Sequence, residues 1–393
     1  MWILKTLFAS CTLLFATFTT QAEIRVGTSL PLSGPAQSLG KNMAIGIETY
    51  FSAINAKGGI AGQQLRLVKY DDGYIPNLAA ENMHKLIDKD QVIAVMGNVG
   101  TPTAVVTVPI ANAKKTLLFG SMTGANLLRK NPPDRYVMNY RASYENETAA
   151  LIEGLAHAGI RPHEIAFFTQ NDAYGDAGYN GSIKALKEIG YSHSDQLPHV
   201  RYERNTVDVE EALLKLLDSS SVPPRAIIMV GTYAPCAKFI RLARRVMPQT
   251  LFLNLSFVNA QALSNALGDA GNGVIVSQVV PLCTLKQAIC LQYLEDLKKY
   301  APQEKPGFVS MEGYIIANLL VNGLRNAGDH PSRESLITAM ESIKNYNIGT
   351  GETVSYSNTQ HTASKKLWAT MINKGEFQLV NWDELAKNLK QGS

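Results

Sequence analysis

The chain alternates strand-like and helix-like segments almost without interruption, and this order restricts the fold more than any other feature of the sequence. Short apolar runs such as Val92–Met96 and Ala226–Val230 each precede a segment with helical spacing of apolar residues. This order favours parallel α/β sheets covered by helices on both faces, with ligands bound at the carboxyl ends of the strands. The C-terminal tail differs, because Thr353–Ser357, Lys366–Ile372 and Phe377–Trp382 resemble antiparallel strands with polar turns.

Two of the strand ends carry turns rich in glycine and hydroxyl residues. In Gly97–Thr103, Thr101 stands where a helix N-cap belongs and Pro102 stands at the first helical position. The arrangement recurs at Gly120–Gly124. Helix N-termini present free N–H groups and the positive end of the helix dipole to an anion. The two turns therefore predict one shared pocket for a small anionic group, although ordinary strand-to-helix turns have the same pattern.

The N-terminal composition predicts an exported protein. One early lysine, an apolar stretch and small residues before Glu23 are typical of a cleavable signal peptide at residues 1–22. The remaining 371 residues (393 minus 22) are enough for two domains, and none of their segments has the length and apolarity of a membrane span. Without Lys5 the chain holds 36 basic (37 minus 1) and 33 acidic residues, without a polybasic run. We therefore expect a periplasmic protein without a nucleic-acid partner.

Three cysteines remain after cleavage, Cys236, Cys283 and Cys290. If Cys283 and Cys290 were both helical, their seven-residue spacing would be long for a direct bridge, whereas a loop conformation at Cys283 would permit one. A disulfide and two buried thiols both remain open for this pair, and we expect Cys236 to be a buried thiol. The spacing of the cysteines and the scattered histidines do not match a zinc site, so no metal or cofactor is expected.

Four stretches of the sequence carry a family resemblance: Leu32–Pro35, Ile54–Gly62, Val68–Asp72 and Asp172–Gly175. The segment Asn-Ala-Lys-Gly-Gly-Ile, followed by Asp-Asp, is the most specific of these motifs. Through them the chain resembles the leucine/isoleucine/valine-binding family of periplasmic solute-binding proteins, from Ile24 to about residue 382. The resemblance implies the type I fold, in which two Rossmann-like lobes are joined by three crossings and enclose the ligand in a cleft.

The resemblance also implies domain boundaries and a mechanism of ligand capture. The three crossings are expected near Asn139–Ser143, Ser277–Pro281 and Gly349–Gly351. Closure about this hinge buries the ligand, and the closed form is then presented to a receptor. The expected division is a signal peptide at 1–22, lobe one at 23–140 plus 281–349, and lobe two at 141–278 plus 350–393.

Six positions match ligand-binding residues of the family. Hydroxyls and backbone N–H groups of lobe one hold the ligand carboxylate in that family, and Thr101, Ser121 and Thr123 match them here. Tyr174 and Tyr233 fall where two aromatic residues of lobe two contact the ligand. Each tyrosine could instead be a core residue whose hydroxyl is hydrogen-bonded.

The sixth position, Ser256, departs from the family pattern. The amino-acid binders of the family place an acidic residue there to pair with the ligand's α-ammonium, and a buried ammonium without such a partner is costly. Either another acid replaces it, for which Asp172 and Glu312 are candidates, or the ligand is not an amino acid. We expect Asp172 to cap a helix and Glu312 to lie at an exposed helix start. Amides, urea-like solutes and aromatic carboxylates would suit Ser256 and Phe257.

The predicted function is that of a monomeric solute-binding protein. It would capture a small carboxylate or amide solute, resembling an amino acid, and deliver it to the membrane permease of an ABC importer. The alternative is a sensory binding protein that presents the solute to a membrane receptor or kinase. An enzyme on the same fold is a minor alternative, because the sequence contains no Gly-x-Ser-x-Gly elbow and no Gly-x-Gly-x-x-Gly fingerprint.

Overall fold

The computed structural model describes residues 23–219 and 221–391, which form two α/β lobes. The first lobe contains a five-stranded parallel sheet in the order β2-β1-β3-β4-β5. Its central strands are buried on both faces, as expected for a parallel sheet covered by helices. The strands are β1 (Glu23–Leu30), β2 (Gln64–Asp71), β3 (Ala94–Met96), β4 (Leu117–Phe119) and β5 (Val137–Met138).

The second lobe contains a sheet in the order β14-β13-β10-β9-β8-β6-β7. Its first five strands in chain order pair in parallel, and β13 and β14 extend it in antiparallel fashion. These pairings confirm the parallel order of the middle of the chain and the antiparallel tail. The remaining strands are β6 (Ile165–Gln170), β7 (His199–Tyr202), β8 (Ala226–Val230), β9 (Leu251–Asn254), β10 (Ile275–Gln278), the short antiparallel pair β11 (Tyr346–Asn347) and β12 (Thr353–Val354), β13 (Trp368–Asn373) and β14 (Glu376–Leu379).

The helices connect the strands and cover both sheets. They follow the alternation that the sequence predicts, except that the last helix, α12, begins at Trp382, which the prediction placed at the end of a strand. The helices are α1 (Gln37–Asn55), α2 (Pro76–His84), α3 (Thr101–Ala113), α4 (Tyr144–His157), α5 (Ala173–Glu188), α6 (Glu210–Asp218), α7 (Tyr233–Val246), α8 (Ala260–Leu267), α9 (Ala288–Tyr300), α10 (Phe308–Asn326), α11 (Arg333–Glu341) and α12 (Trp382–Gln391). None of the helices in residues 23–219 and 221–391 is long and apolar enough to cross a membrane.

Helices α1 and α10 cross at two glycines that bring their backbones together. A Cβ built on Gly46 would lie 1.9 Å from the carbonyl oxygen of Ser310, and one on Gly313 would lie 2.5 Å from the carbonyl oxygen of Met43. Beside this crossing, the Tyr50 ring packs edge-on against another ring of α10 at 4.9 Å between centroids. The close approach fixes α10 against the first lobe, although α10 lies more than 250 residues after α1 in the chain.

We expect Gly46→Ala to lower the free energy of unfolding by about 1–3 kcal/mol, because the added methyl group forces the two helices apart. Alanine is the better helix former by about 1 kcal/mol, so any loss measures the crossing and not the helix propensity. Chemical unfolding followed by circular dichroism gives the value. Gly307→Ala, at the N-cap of α10, is the steric control, since its Cβ would meet only the Ser310 hydroxyl at 3.7 Å and only the glycine cap is lost. Equal stability of the two variants would contradict the prediction.

Three chain segments run side by side between the lobes. The backbone N–H of Ser364 donates to the Tyr140 carbonyl at 2.9 Å, and the Tyr140 hydroxyl contacts the Val279 carbonyl at 3.5 Å. Thr362 also pairs with Asn139 at the edge of the first sheet. The residues around Thr362 therefore lie with the first sheet, whereas the predicted division gave everything after 349 to lobe two. We propose that the stretch after Ser364 forms the third crossing between the lobes. The rest of the predicted division into two lobes stays a prediction.

The open question about the cysteines is settled by the local backbone. Cys283 lies in a short 3₁₀ turn and Cys290 lies in the first turn of α9, with their Cα atoms 5.1 Å apart and their sulfurs bonded. The non-α conformation at Cys283 is what permits the bridge. Cys236 is a buried free thiol, as predicted, and burial raises its pKa.

Candidate functional site

The two glycine-rich turns of the first lobe meet at a pair of threonines. Thr101 Oγ1 lies 2.7 Å from Thr123 Oγ1, and both side chains are buried. Thr123 Oγ1 also accepts a hydrogen bond from the Ala125 N–H at 3.2 Å. The predicted N-cap role of Thr101 is wrong: Gly100 is the N-cap, and Thr101 is the first helical residue, so its hydroxyl turns to the neighbouring turn. In this arrangement Thr123 can donate to Thr101, which leaves the Thr101 hydroxyl hydrogen free for a ligand.

Gly100 is required at this turn by its backbone and by its neighbour. Its φ is +106°, and a Cβ built on it would lie 2.2 Å from the ring of Tyr74. The glycine thus lets an aromatic ring lie directly on the N-terminus of α3.

Three more buried hydroxyls belong to the second glycine-rich turn and to the starts of α4 and α5. The hydroxyls of Ser121 and Tyr174 are buried and have no hydrogen-bond partner among the described residues. The Tyr144 hydroxyl lies close to Thr123 but forms no hydrogen bond of good geometry. Buried polar groups in proteins are nearly always paired, so a cluster of unpaired ones indicates a place where a ligand or water completes the bonding. Thr101 and Tyr144 also line a groove of about 320 Å³.

Aromatic rings from both lobes line the cleft next to these turns. The Tyr174 ring lies 4.5 Å from Phe257 and 5.3 Å from Tyr144, and Phe257 lies 6.1 Å from Tyr74. All four side chains are almost completely buried. Such a lining excludes water and accommodates an aliphatic or aromatic part of a solute.

The cleft is closed, because polar side chains of the two lobes bond to each other across it. The Gln170 amide donates to the Tyr74 hydroxyl at 3.3 Å, and the Asn205 amide donates to the Gly73 carbonyl at 3.0 Å. Asn259 contacts Ser38 at 3.1 Å in the same way.

At Ser256, where we expected no acidic residue, a different helix supplies a carboxylate. Glu147 of α4 accepts hydrogen bonds from the Ser256 N–H at 2.8 Å and the Ser256 hydroxyl at 3.0 Å, and also from the Ser277 hydroxyl. Arg141 donates to the Ser256 hydroxyl and lies 3.4 Å from Glu147. Ser256 therefore belongs to a buried ionic network and does not leave this wall of the cleft uncharged.

Glu312 completes this network, and its predicted exposed position is wrong. It lies in the second turn of α10, is 3% exposed, and approaches Arg141 Nη1 to 3.6 Å. Burial raises the pKa of Glu312, although Arg141 opposes the shift. Burial also works against the charge on Arg141, but Glu312 and Glu147 together outweigh it and raise the pKa of the guanidinium. Arg141 Nη1 and Nε have no hydrogen-bond partner within the described chain.

The other predicted residues take separate positions. Asp172 caps α5 by accepting from the Tyr174 N–H at 2.9 Å, as predicted. Tyr233 is half-buried at the start of α7 and packs on the core of the second lobe. Burial raises its pKa, and the nearby backbone of Ser38 in the other lobe opposes the shift. Tyr233 thus contacts the rim of the closed cleft, and its role toward a ligand stays a prediction.

Sequence reasoning missed Arg141, Tyr144 and Glu147 as site residues. A signal was present, because Arg141 is a lone charge at the end of an apolar strand-like run. Tyr144 and Glu147 follow at intervals of three, the spacing of one helix face. The three therefore reach the cleft from a single crossing segment.

A buried acidic residue, Asp72, holds the backbone of Tyr74, one of the aromatic residues that line the cleft. Asp72 accepts hydrogen bonds from the Tyr74 N–H at 2.8 Å and the Ser29 hydroxyl at 2.7 Å, and it is fully buried. Burial raises its pKa to about 6, from an ordinary value of 3.8. The folded protein therefore binds this proton more tightly than the unfolded chain does. The contribution of Asp72 to stability consequently falls as the pH rises from about 4 to about 6.

We expect Asp72→Asn to remove this decline. Relative to the wild type, the variant should gain up to about 3 kcal/mol in free energy of unfolding between pH 4 and pH 7. Chemical unfolding at both pH values measures the difference. Asp71 is the matched control of opposite sign: burial works against its charge, but hydrogen bonds from Ser33, Gly73 and Leu32 outweigh it and lower its pKa. Because the pKa of Asp71 lies below its ordinary value of 3.8, Asp71→Asn should lose stability relative to the wild type as the pH rises from about 3 to about 5, and it should show no gain between pH 4 and pH 7. A gain equal to that of Asp72→Asn would contradict the interpretation.

Comparison with known proteins agrees with this architecture. The family described as periplasmic binding protein matches residues 23–376. The Leu/Ile/Val-binding protein of Escherichia coli (strain K12) is 25% identical over 333 residues, which cover 83% of this chain and 86% of that protein. A Leu/Ile/Val-binding protein homolog 7 from Brucella abortus (strain 2308) is 28% identical over 205 residues, 50% of this chain. The chain thus spans about half the length of the Brucella relative, since the alignment covers 49% of it.

A solved structure is similar over almost the whole chain. It is described as a possible leucine/isoleucine/valine-binding protein from Rhodopirellula baltica SH 1, and it is 43% identical, with a TM-score of 0.91. The similarity covers 94% of this chain and 99% of that one. The chain has two α/β lobes closed over a buried polar cluster, and it is similar to these relatives. It therefore belongs to the periplasmic binding protein family, in its type I, leucine/isoleucine/valine-binding group.

Proposed function

We propose that the protein captures a small carboxylate or amide solute, resembling an amino acid, in the cleft between its lobes and delivers it to the permease of an ABC importer. The family consists of solute-binding proteins that work with such transporters, and its members act in the periplasm. The predicted signal peptide at 1–22 lies outside the described residues.

One observation supports the proposal: buried polar groups from both lobes and from the crossing between them have no hydrogen-bond partner in the described residues. Ser121 belongs to the first lobe, Tyr174 to the second, and Arg141 to the crossing between them. Leaving such groups unpaired costs about 1–3 kcal/mol each, so a solute that bonds to them would stabilise the closed form. Thr101 and Thr123 would hold a carboxylate at the N-terminus of α3. Thr101, Ser121, Thr123, Tyr174, Tyr233 and Ser256 remain the proposed binding residues, with Arg141, Tyr144, Glu147 and Glu312 added.

The proposal is tested on protein that has been unfolded, dialysed and refolded to remove any bound solute. A library of amino acids, short amides and organic acids is then screened by thermal shift. We expect a small number of carboxylate or amide solutes to raise the melting temperature by several degrees, because they bind the folded state alone. Mass spectrometry of the native preparation identifies the solute that co-purifies. If no carboxylate or amide in the library raises the melting temperature, the proposed solute class is wrong.

A further inference from the structure

Tyr74 combines a strained backbone with a completely buried side chain. It lies in a tight turn in which the Ile75 N–H donates to the Asp72 carbonyl at 2.8 Å. The two central residues of the turn, Gly73 and Tyr74, have φ values of +54° and +63°. Glycine adopts this conformation freely, whereas a bulky residue adopts it only at a cost in free energy. Such strain persists where surrounding contacts hold it, so the contacts of the Tyr74 ring indicate its role.

The second lobe supplies most of those contacts. The Gln170 amide donates to the Tyr74 hydroxyl at 3.3 Å, and the Phe257 ring lies 6.1 Å from the Tyr74 ring. The Arg204 guanidinium lies 5.9 Å from the centre of the same ring, within the range of a cation–π contact. Gln170 ends β6, Arg204 follows β7 and Phe257 follows β9, so all three belong to the second sheet. Tyr74 thus reaches across the cleft from the first lobe and is covered by the second.

The polar partners of Tyr74 are held in place by bonds within the second lobe. The Tyr202 hydroxyl donates to Gln170 Oε1 at 2.9 Å, which fixes the amide with its donor side toward Tyr74. Asp172 accepts from the Gln170 amide at 2.7 Å and forms an ion pair with Arg204 at 3.1 Å. None of these bonds involves a residue of the first lobe. The second lobe therefore holds a pre-organised site for an aromatic ring with a hydroxyl group.

We infer that Tyr74 is a positioning residue that stabilises the closed cleft by binding to the second lobe as a tethered ligand. Its contacts join protein groups alone, so they favour closure in the solute-free protein as well as in the complex. A closed form that is already partly populated leaves less of the binding free energy to be spent on closure, so solutes bind more tightly. The inference goes beyond the proposed function, because it concerns the closure of the lobes and not the class of solute.

Small-angle X-ray scattering of refolded, solute-free protein tests the inference. We expect Tyr74→Ala to have a larger radius of gyration than the wild type, because loss of the ring shifts the equilibrium toward the open form. Tyr74→Phe keeps the ring and loses the bond to Gln170, so its radius should lie between the two. Tyr179→Ala is the control, since the Tyr179 ring stacks on His199 of its own lobe at 3.9 Å. This control should have the radius of the wild type.

Chemical rescue separates stabilisation of closure from a general loss of packing. The compound 4-methylphenol has the shape of the missing side chain and a hydroxyl for Gln170. An engineered cavity of this kind binds small aromatic molecules. Added to Tyr74→Ala, 4-methylphenol should return the radius of gyration to that of the wild type, and it should leave the wild type unchanged. A merely structural role of Tyr74 would alter the melting temperature without moving the radius.

Isothermal titration measures the consequence for solute binding. Tyr74→Ala should bind every solute that the screen identifies about tenfold or more weakly, because binding must then also close the lobes. The factor should be similar for solutes that differ in size and charge, since the missing contacts are those between the lobes. A loss confined to some of the solutes would show that Tyr74 recognises the solute, and it would overturn the inference.

Two scattering results would also overturn the inference. The first is an equal radius of gyration for folded Tyr74→Ala and the wild type, with folding verified by circular dichroism. The second is a radius of Tyr74→Ala that 4-methylphenol does not change. If Tyr74→Ala does not fold, Tyr74→Phe decides, and a radius equal to that of the wild type counts against the inference. Scattering requires no solute, so the test stands even if the library screen removes the proposed function.

Discussion

Replacing Arg141 by leucine is expected to lower the free energy of unfolding by about 3–5 kcal/mol. The substitution removes the positive charge that Glu147 and Glu312 share, and both carboxylates are within 3.6 Å of the guanidinium. Glu147 is fully buried and Glu312 is 3% exposed, so neither can turn to solvent without opening the cleft. Urea unfolding at pH 7, followed by circular dichroism and by tryptophan fluorescence, measures the loss.

Two further variants show whether charge is the cause. The triple variant Arg141→Leu, Glu147→Gln and Glu312→Gln removes all three charges, and it should recover much of the lost stability, because replacing a whole buried ionic network is often tolerated. Arg161→Leu breaks an ion pair with Glu164 in which the arginine is 68% exposed, and it should change stability by less than about 1 kcal/mol. If Arg141→Leu lowers the free energy of unfolding no more than Arg161→Leu does, then Arg141, Glu147 and Glu312 are not all charged in the folded protein.

The order of strands and helices was the part of the fold that the sequence predicted best, because it depends on local patterns. Apolar runs of strand length, glycine at helix ends and capping residues are all read within a few neighbouring positions. The meeting of Thr101 and Thr123 also follows from this order. Their turns end β3 and β4, which are adjacent and parallel, so the two turns lie at one edge of the sheet.

The position of Glu312 could not be predicted from local sequence patterns. Its local pattern is that of a polar residue near the start of a helix, and most such residues are exposed. It is buried because α10 packs on α1 through Gly46 and Gly313 and because the crossing segment places Arg141 opposite it, 171 positions earlier. Local periodicity contains no information about a partner so distant in the chain.

Two smaller errors have the same kind of cause. Thr101 has the side chain of an N-cap, but the positive φ of Gly100 starts the helix one residue earlier, and Thr123 then supplies the partner for the free hydroxyl. The segment at Trp382 has the composition of a strand end. It forms a helix instead, because the indole packs on Gly154 of α4, where a Cβ would lie 2.3 Å from the ring. In both cases a tertiary contact decided between two locally reasonable conformations.

The double variant Thr101→Val, Thr123→Val is expected to bind the solute found by the screen roughly ten- to a hundredfold more weakly than the wild type. Valine has the shape of threonine without its hydroxyl, so the substitution removes the chain of hydrogen bonds from Ala125 through Thr123 to Thr101 and leaves the packing in place. A hydrogen bond to a charged group contributes about 1.5–3 kcal/mol, which corresponds to this loss when the ligand is a carboxylate. Isothermal titration gives the affinities.

Thr107→Val is the matched control on the same helix. Thr107 is fully buried on α3, as Thr101 is, and its hydroxyl has no partner among the residues that the structure describes. Its removal should therefore leave solute affinity unchanged and should not destabilise the fold, because an unpaired buried hydroxyl costs free energy. A neutral amide without a carboxylate should lose less affinity than a carboxylate in the double variant, since a hydrogen bond between neutral groups is the weaker one. Equal affinity of the double variant and the wild type for a carboxylate would show that the anion is held elsewhere in the cleft, with Arg141 as the next candidate.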